Sequence, residues 1–524
     1  MSKALSWCLE TSKDEYRAVL ILSLLLIVIT WWILKIRSRK EKASLPPGPW
    51  GLPIIGNLPF LDPQLHRYFD KLSIKYGPIL KVQLGSKLAM VLNSPEIAKE
   101  VLKDHDANFA DRDVPAAGFV ASYGALDIVY APYGDHWRMM RKVCVRELLS
   151  PGRLKALYTV RGREVQEMVN KVHSKIGQSI DIGEHVFLGM FNILTSMMWG
   201  NTLEGVERVR VTTNYRKVAK KLVALSAEAN ISDLFPVLAR FDLQGKERRM
   251  KEILGWFDQI YEFVINKRRK MESQQDPESK HKDIENQDFL DVLLQLIDQG
   301  GQKTQLTITH IKALFLDITL AGTKSTSSTV EWALTELLKQ PEIMKRAQEE
   351  LDQVVGLNNR VEEIHLSKLP YLDAIVKEVF RLYPTAALLI PRVPRESCII
   401  GGYLIPRGSK IFVNVWAMQR DPKYWSDPLE FRPERFLNST NDWNYDGNDF
   451  RYLPFGSGRR ICVGIPIAEK MVSYLLASLL HSFNWELPQG TKLDLAEEFG
   501  FVLSKKIPLL AVPSPRLLDY KLYD

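Results

Sequence analysis

Cys462 lies in the run Phe455-Gly456-Ser457-Gly458-Arg459-Arg460-Ile461-Cys462-Val463-Gly464, bracketed by glycines, beside a guanidinium and ahead of a new helix. Amide N–H groups at a helix start stabilise a negative sulfur, and residues lacking a side chain let a flat ligand approach the backbone. The run is therefore suited to offering a thiolate to a metal held in a planar cofactor. The alternative reading of Cys462 is a small buried hydrophobe in a turn.

Other motifs narrow that choice. Ile311, Leu314, Phe315 and Ile318 recur at helical spacing between Leu306 and Gln340, and Pro341 ends the run. The pattern predicts a helix of about 35 residues, roughly 50 Å, long enough to cross a whole domain. Midway lie Ala321-Gly322-Thr323-Lys324-Ser325-Thr326, either a packing notch or a kink that faces a ligand. Glu378 and Arg381 are one helical turn apart, with Pro433-Glu434-Arg435-Phe436 some way downstream. Trp137 and Arg141 stand at i,i+4, so an indole N–H and a guanidinium can address one target, such as a carboxylate.

In this order the motifs resemble those of the cytochrome P450 family, whose haem signature is matched at every fixed position from Phe455 to Gly464. The resemblance runs from Pro46 to the C-terminus and is nearest to plant microsomal oxygenases, in a branch with sesquiterpene and flavonoid hydroxylases. It implies a mainly α fold with a small β lobe and a haem b whose axial ligand is the Cys462 thiolate. Trp137, Arg141, Arg392, Phe455, Arg460 and Gly464 become the other haem contacts. Glu378, Arg381 and Arg435 become a buried network beside the haem. Phe315, Leu320, Ala321, Leu388, Leu389 and Phe501 become walls of an apolar substrate pocket. Asp111, Arg112, Asp113 and Asp127 are read as a solvated rim in the loop that caps the site.

The same resemblance implies oxygen insertion into a hydrophobic plant metabolite: a terpenoid first, then an alkaloid or flavonoid. NADPH supplies the electrons through a separate reductase, docked on a basic face that includes Arg138, Lys142, Arg146, Arg459 and Lys470. The chain departs from the family at the oxygen-activation segment: Lys324 replaces an acid, and Ser325 replaces a threonine. Ser325 still donates and accepts, so Ser325 and Thr326 with water are expected to deliver protons while Lys324 turns toward a remote carboxylate. The alternatives are a lysine that shuttles protons itself, or altered chemistry such as desaturation, oxidative coupling or isomerisation.

Composition sets the remaining bounds. Four cysteines with no C-x-x-C pair argue against a disulfide framework or a structural zinc site. A net charge of +8 is scattered, without the aromatic-interleaved basic stripe that nucleic acids need, and points to anionic membrane or an acidic partner. Residues 18–34 are apolar apart from Ser23 and Thr30, with Trp31 and Trp32 at the end and five basic residues between Lys35 and Lys42. This predicts an uncleaved anchor with residues 1–17 lumenal and the rest cytosolic, as expected at the endoplasmic reticulum membrane. Residues 35–60, basic and then proline-rich, are expected to form a hinge before a catalytic domain at 61–524.

Overall fold

The computed structural model describes residues 44–524 apart from 201, 204, 275–286, 301–304 and 438–442, together with Val19, Ser23 and Thr30. The expected lumenal segment 1–17, the anchor 18–34 save those three positions, and the basic part of the hinge fall outside the described residues. Among the described residues no helix is long and apolar enough to cross a membrane.

The helices that frame the site are α1 (Leu65–Tyr76), α2 (Asp135–Glu147), α3 (Ile182–Trp199), α4 (Lys246–Ser273), α5 (Ile308–Lys339), α6 (Pro370–Leu382) and α7 (Ile465–Ser482). α5 has 32 residues, so it is about 48 Å long. It starts at a reciprocal cap: the Thr307 hydroxyl accepts the His310 N–H (3.3 Å) and His310 Nδ1 accepts the Thr307 N–H (3.1 Å). It ends where Pro341 begins the next helix. Most of its side chains are buried, as expected of a helix enclosed by others. Gly322 permits a close approach of α3: a Cβ there would lie 2.7 Å from Leu194 Cδ1. The main core cluster gathers around α2, α3, α5, α6 and α7.

The β lobe is a five-stranded sheet. Its strands are β1 (Ile79–Leu84), β2 (Lys87–Leu92), β3 (Asp111–Arg112), β4 (Arg392–Val393) and β5 (Lys410–Val413), in the order β1-β2-β5-β4-β3. Only β2 and β5 run parallel. The proline-rich stretch lies along this sheet. The Pro47 carbonyl accepts the Lys81 N–H (2.8 Å), and Asn57 N–H donates to the Gln83 carbonyl (2.7 Å), so the folded body begins before residue 60.

Candidate functional site

Cys462 is fixed just before α7 by a turn. Its N–H donates to the Phe455 carbonyl (3.1 Å), and its Sγ accepts the Gly464 N–H (3.3 Å). The side chain is accessible, yet burial is the leading influence on its thiol. It therefore opens on an internal void and not on the outer surface. Burial pushes the thiol above its ordinary range, against the Gly464 N–H and the Arg141 guanidinium, which favour the thiolate. Those two groups act in the direction the loop sequence leads one to expect, toward the thiolate, and a bound metal cation would add to them.

The loop is pinned from behind. Gly458 sits at φ +68°, and a Cβ there would fall 2.3 Å from the Leu102 carbonyl oxygen, so only glycine fits. Asp106 accepts the Arg459 N–H (2.9 Å) and Arg392 Nη1 (3.1 Å). Phe455 stacks edge-on against Phe380 of α6 at 5.1 Å between centroids.

Three arginines converge next to this loop. Arg112 of β3 stands directly opposite Arg392 of β4 in the strand register, and Arg460 acts on the charge of both. Arg392 pairs with Asp106. Arg460 donates to the carbonyls of Ala110 (2.6 Å), Ile128 (3.0 Å) and Ala131 (2.5 Å). Arg112 donates to the Ile390 and Pro391 carbonyls, while its Nε is buried with no acceptor. Burial, followed by repulsion from Arg392 and Arg460, holds Arg112 well below its usual range. Sequence reasoning placed Arg112 in a solvated rim; the structure sets it deep beside the Cys462 loop. The missed signal is the β3–β4 register, which joins positions far apart in sequence.

An excess of buried positive charge with an orphaned donor is the mark of an anion site. An iron porphyrin is flat, has a metal at its centre, and carries two carboxylates on one edge. The accessible sulfur, the glycine-lined loop and the unsatisfied Arg112 Nε fit such a group.

Trp137 and Arg141 were expected to share one target, and here they do not. Trp137 Nε1 donates to the Ile128 carbonyl (3.1 Å), and Arg141 Nη1 donates to the Ile461 carbonyl (2.9 Å). Loop carbonyls buried away from water need donors, and these two side chains supply them. The guanidinium groups of Arg460 and Arg141 lie 4.7 and 5.4 Å from the Trp137 ring.

On α5, Ala321 remains accessible although the helix runs through the interior. Ser325 Oγ donates to the Ala321 carbonyl (2.6 Å), so its lone pairs are left free to accept. Thr326 is buried. Lys324 has no ion pair within 4.0 Å among the described residues, so the expected turn toward a partnering carboxylate is not made; burial raises the carboxyl groups of Glu331 and of Asp181, at the start of α3, and the more distant Lys324 charge only opposes that rise.

Of the expected pocket walls, Phe315 is 0 % exposed and packs on Trp199 (4.9 Å) and Tyr261 (5.7 Å), so it belongs to the core between α3, α4 and α5. Its position on α5 is turned away from Ala321 by the helical period. Leu388 is likewise core, packed with Phe69 and Phe412. Leu320 is partly buried against the main core. Leu389 is half-buried at φ +48°, a backbone conformation that branched side chains rarely adopt, and it reaches the Gly456 turn. Phe501 is 39 % exposed.

Glu378, Arg381 and Arg435 come together. Arg381 grips Glu378 through two bonds (2.7 and 2.8 Å), and Arg435 Nε reaches Glu378 Oε1 at 3.0 Å. Arg381 also donates to the carbonyls of Gln419 and Pro428 (both 2.8 Å) and Glu430 (3.1 Å), tying α6 to the segment beneath the cysteine loop.

Comparison with known proteins places this geometry. The sequence profile of the family Cytochrome P450 matches residues 46–512. A flavonoid 3'-monooxygenase of Arabidopsis thaliana is 39 % identical over 95 % of this chain and 98 % of its own. A geraniol 8-hydroxylase of Swertia mussotii is 40 % identical over 91 % of this chain and 95 % of its own. A zebra fish cytochrome P450 solved with progesterone superposes with a TM-score of 0.74 at 26 % identity, covering 86 % of this chain and 99 % of that one.

Proposed function

Since the chain belongs to the cytochrome P450 family and is a haem-thiolate monooxygenase, we propose that it oxidises an apolar plant specialised metabolite, with Cys462 as the axial ligand. When bound, the haem supplies the dioxygen chemistry. The protein's own part is to hold and shield it. Arg112, Arg392 and Arg460 receive its carboxylates, and the Gly464 N–H and Arg141 steady the sulfur charge. Ser325 Oγ holds a proton on α5, bonded to the Ala321 carbonyl. Ala321 and Leu389 shape the apolar side where the substrate rests. The observation that carries this reading is the accessible Cys462 sulfur near Arg112, whose buried Nε has no acceptor.

For the substrate class, relatives named for flavonoid and for geraniol oxidation are about equally similar. Both fit a pocket with few polar groups, so a flavonoid, ranked after a terpenoid by the sequence, moves level with it and ahead of an alkaloid. NADPH-derived electrons come from a reductase at the face around Arg459. There Arg138 is paired with Asp135, Arg459 with Asp106 and Lys470 with Glu363; Lys142 and Arg146 are therefore its better contacts. Residence at the endoplasmic reticulum membrane, through residues 18–34, completes the proposal.

The test is incubation with the reductase, NADPH, heavy-isotope dioxygen and a panel of flavonoids, terpenoids and alkaloids, followed by mass spectrometry. One heavy oxygen in an NADPH-dependent product is expected. A product without label would replace oxygen insertion by desaturation or coupling.

A further inference from the structure

Asp127 and Asp317 form a pair of buried carboxyl groups that the chemistry above leaves unused. Asp127 is 3 % exposed, and its Oδ1 accepts the N–H groups of Tyr130 (2.8 Å) and Ala131 (3.1 Å). Asp317 lies on α5 one turn before Ala321, and its Oδ2 accepts the Ile128 N–H at 2.7 Å. The two carboxyl groups are within hydrogen-bonding reach of each other. Neither has an ion pair within 4.0 Å among the described residues.

The groups facing the pair cannot neutralise two charges. Arg460 acts on Asp127, but its guanidinium is bonded to three carbonyls. Arg112 and Tyr130 lie on the Asp127 side, and Cys144 of α2 faces Asp317. Two carboxylates in contact in a poorly polarisable interior do not both ionise.

Ile128 is the hub. Its N–H goes to Asp317, while its carbonyl takes both Trp137 Nε1 and Arg460 Nη1. We propose that Asp127 and Asp317 hold one proton between them, and that Asp317 is thereby a positioning residue: through Ile128 it sets the loop on which Trp137 and Arg460 are anchored. Burial raises both groups. Asp127 is brought to about 6, and Asp317 lies well above its usual range because burial is reinforced by the facing Asp127 charge. Asp127, whose Oδ1 already accepts two backbone N–H groups, is the better-stabilised carboxylate and so the acceptor, which leaves Asp317 as the donor. A raised carboxyl stabilises the fold while protonated, so this contribution is complete in acid and is lost as pH rises through the raised Asp317 value.

Infrared spectra and thermal unfolding of the full chain, followed through an alkaline titration, test this. The wild type is expected to show a protonated-carboxyl band at neutral pH that fades on alkalinisation together with a fall in Tm. Asp317→Asn keeps the donor and the acceptor, so it should remove that band, retain haem and abolish the alkaline fall. Asp127→Asn removes the facing charge and should move the band's midpoint to lower pH, which decides the matter if Asp317→Asn does not fold. A band that survives Asp317→Asn, or a midpoint unmoved by Asp127→Asn, would overturn the proposal.

Discussion

Arg112 and Arg392 stand opposite one another across the β3–β4 pair, although like charges in facing strand positions repel. Asp106 compensates only one of them. The arrangement makes sense as a site prepared for an anion, and it separates two properties that usually change together. Arg112→Gln should leave the haem-free protein as stable as the wild type, or more so, because repulsion is relieved. Haem retention should fall about 10- to 100-fold, the loss of one charged hydrogen bond of about 1.5–3 kcal/mol. Calorimetry of the apoprotein and haem transfer to an acceptor protein measure the two halves.

Arg381→Ala strands the Glu378 carboxylate, which is 0 % exposed and otherwise bonded to Arg435 and to the Arg432 N–H. Leaving a buried charge without its main partner costs about 3–5 kcal/mol. The expected result is protein that accumulates largely without haem. Haem per chain, measured by absorbance, checks it; full occupancy in the variant would refute the structural role.

Lys324 acts electrostatically on Glu331 and Asp181, away from a direct bond to Ser325. Lys324→Ala should therefore change turnover by less than about threefold, well short of the ~100-fold effect of losing a proton-transfer group. Ser325→Ala should divert reducing equivalents to peroxide. Product and peroxide counted per NADPH consumed distinguish the two positions.

Glu497 anchors the C-terminal hairpin that carries Phe499 and Phe501. Burial would raise its carboxyl, but the bond from His66 and the charges of Arg420 and Arg67 win and bring it from 4.5 to about 2. A depressed carboxyl contributes stability above its unfolded value and loses it as pH falls through the folded one. Stability should decline between about 4.5 and about 2, and Glu497→Gln should flatten that part of the profile. Thermal unfolding across this range is the check.

What the sequence made legible was local. The cysteine loop, the long helix and the Glu378–Arg381 turn are written in neighbouring residues, so spacing alone locates them. Arg112 escaped because its environment is set by a strand register between distant segments. Asp317 escaped because an acid inside a helical pattern looks the same whether it meets water or another carboxyl. Phe315 and Leu388 were assigned to the pocket from the segment order of the family they resemble, and segment order does not say which face of an element looks into a void and which into the core.

The account rests on the Cys462 sulfur being the axial ligand of a haem held by this fold. The carbon-monoxide difference spectrum of the reduced protein tests that most directly, comparing the wild type with Cys462→His. A strongly red-shifted thiolate-type band in the wild type, replaced by an imidazole-type band in the variant, is the predicted result. The same band in both proteins, or an imidazole-type band in the wild type, would contradict it.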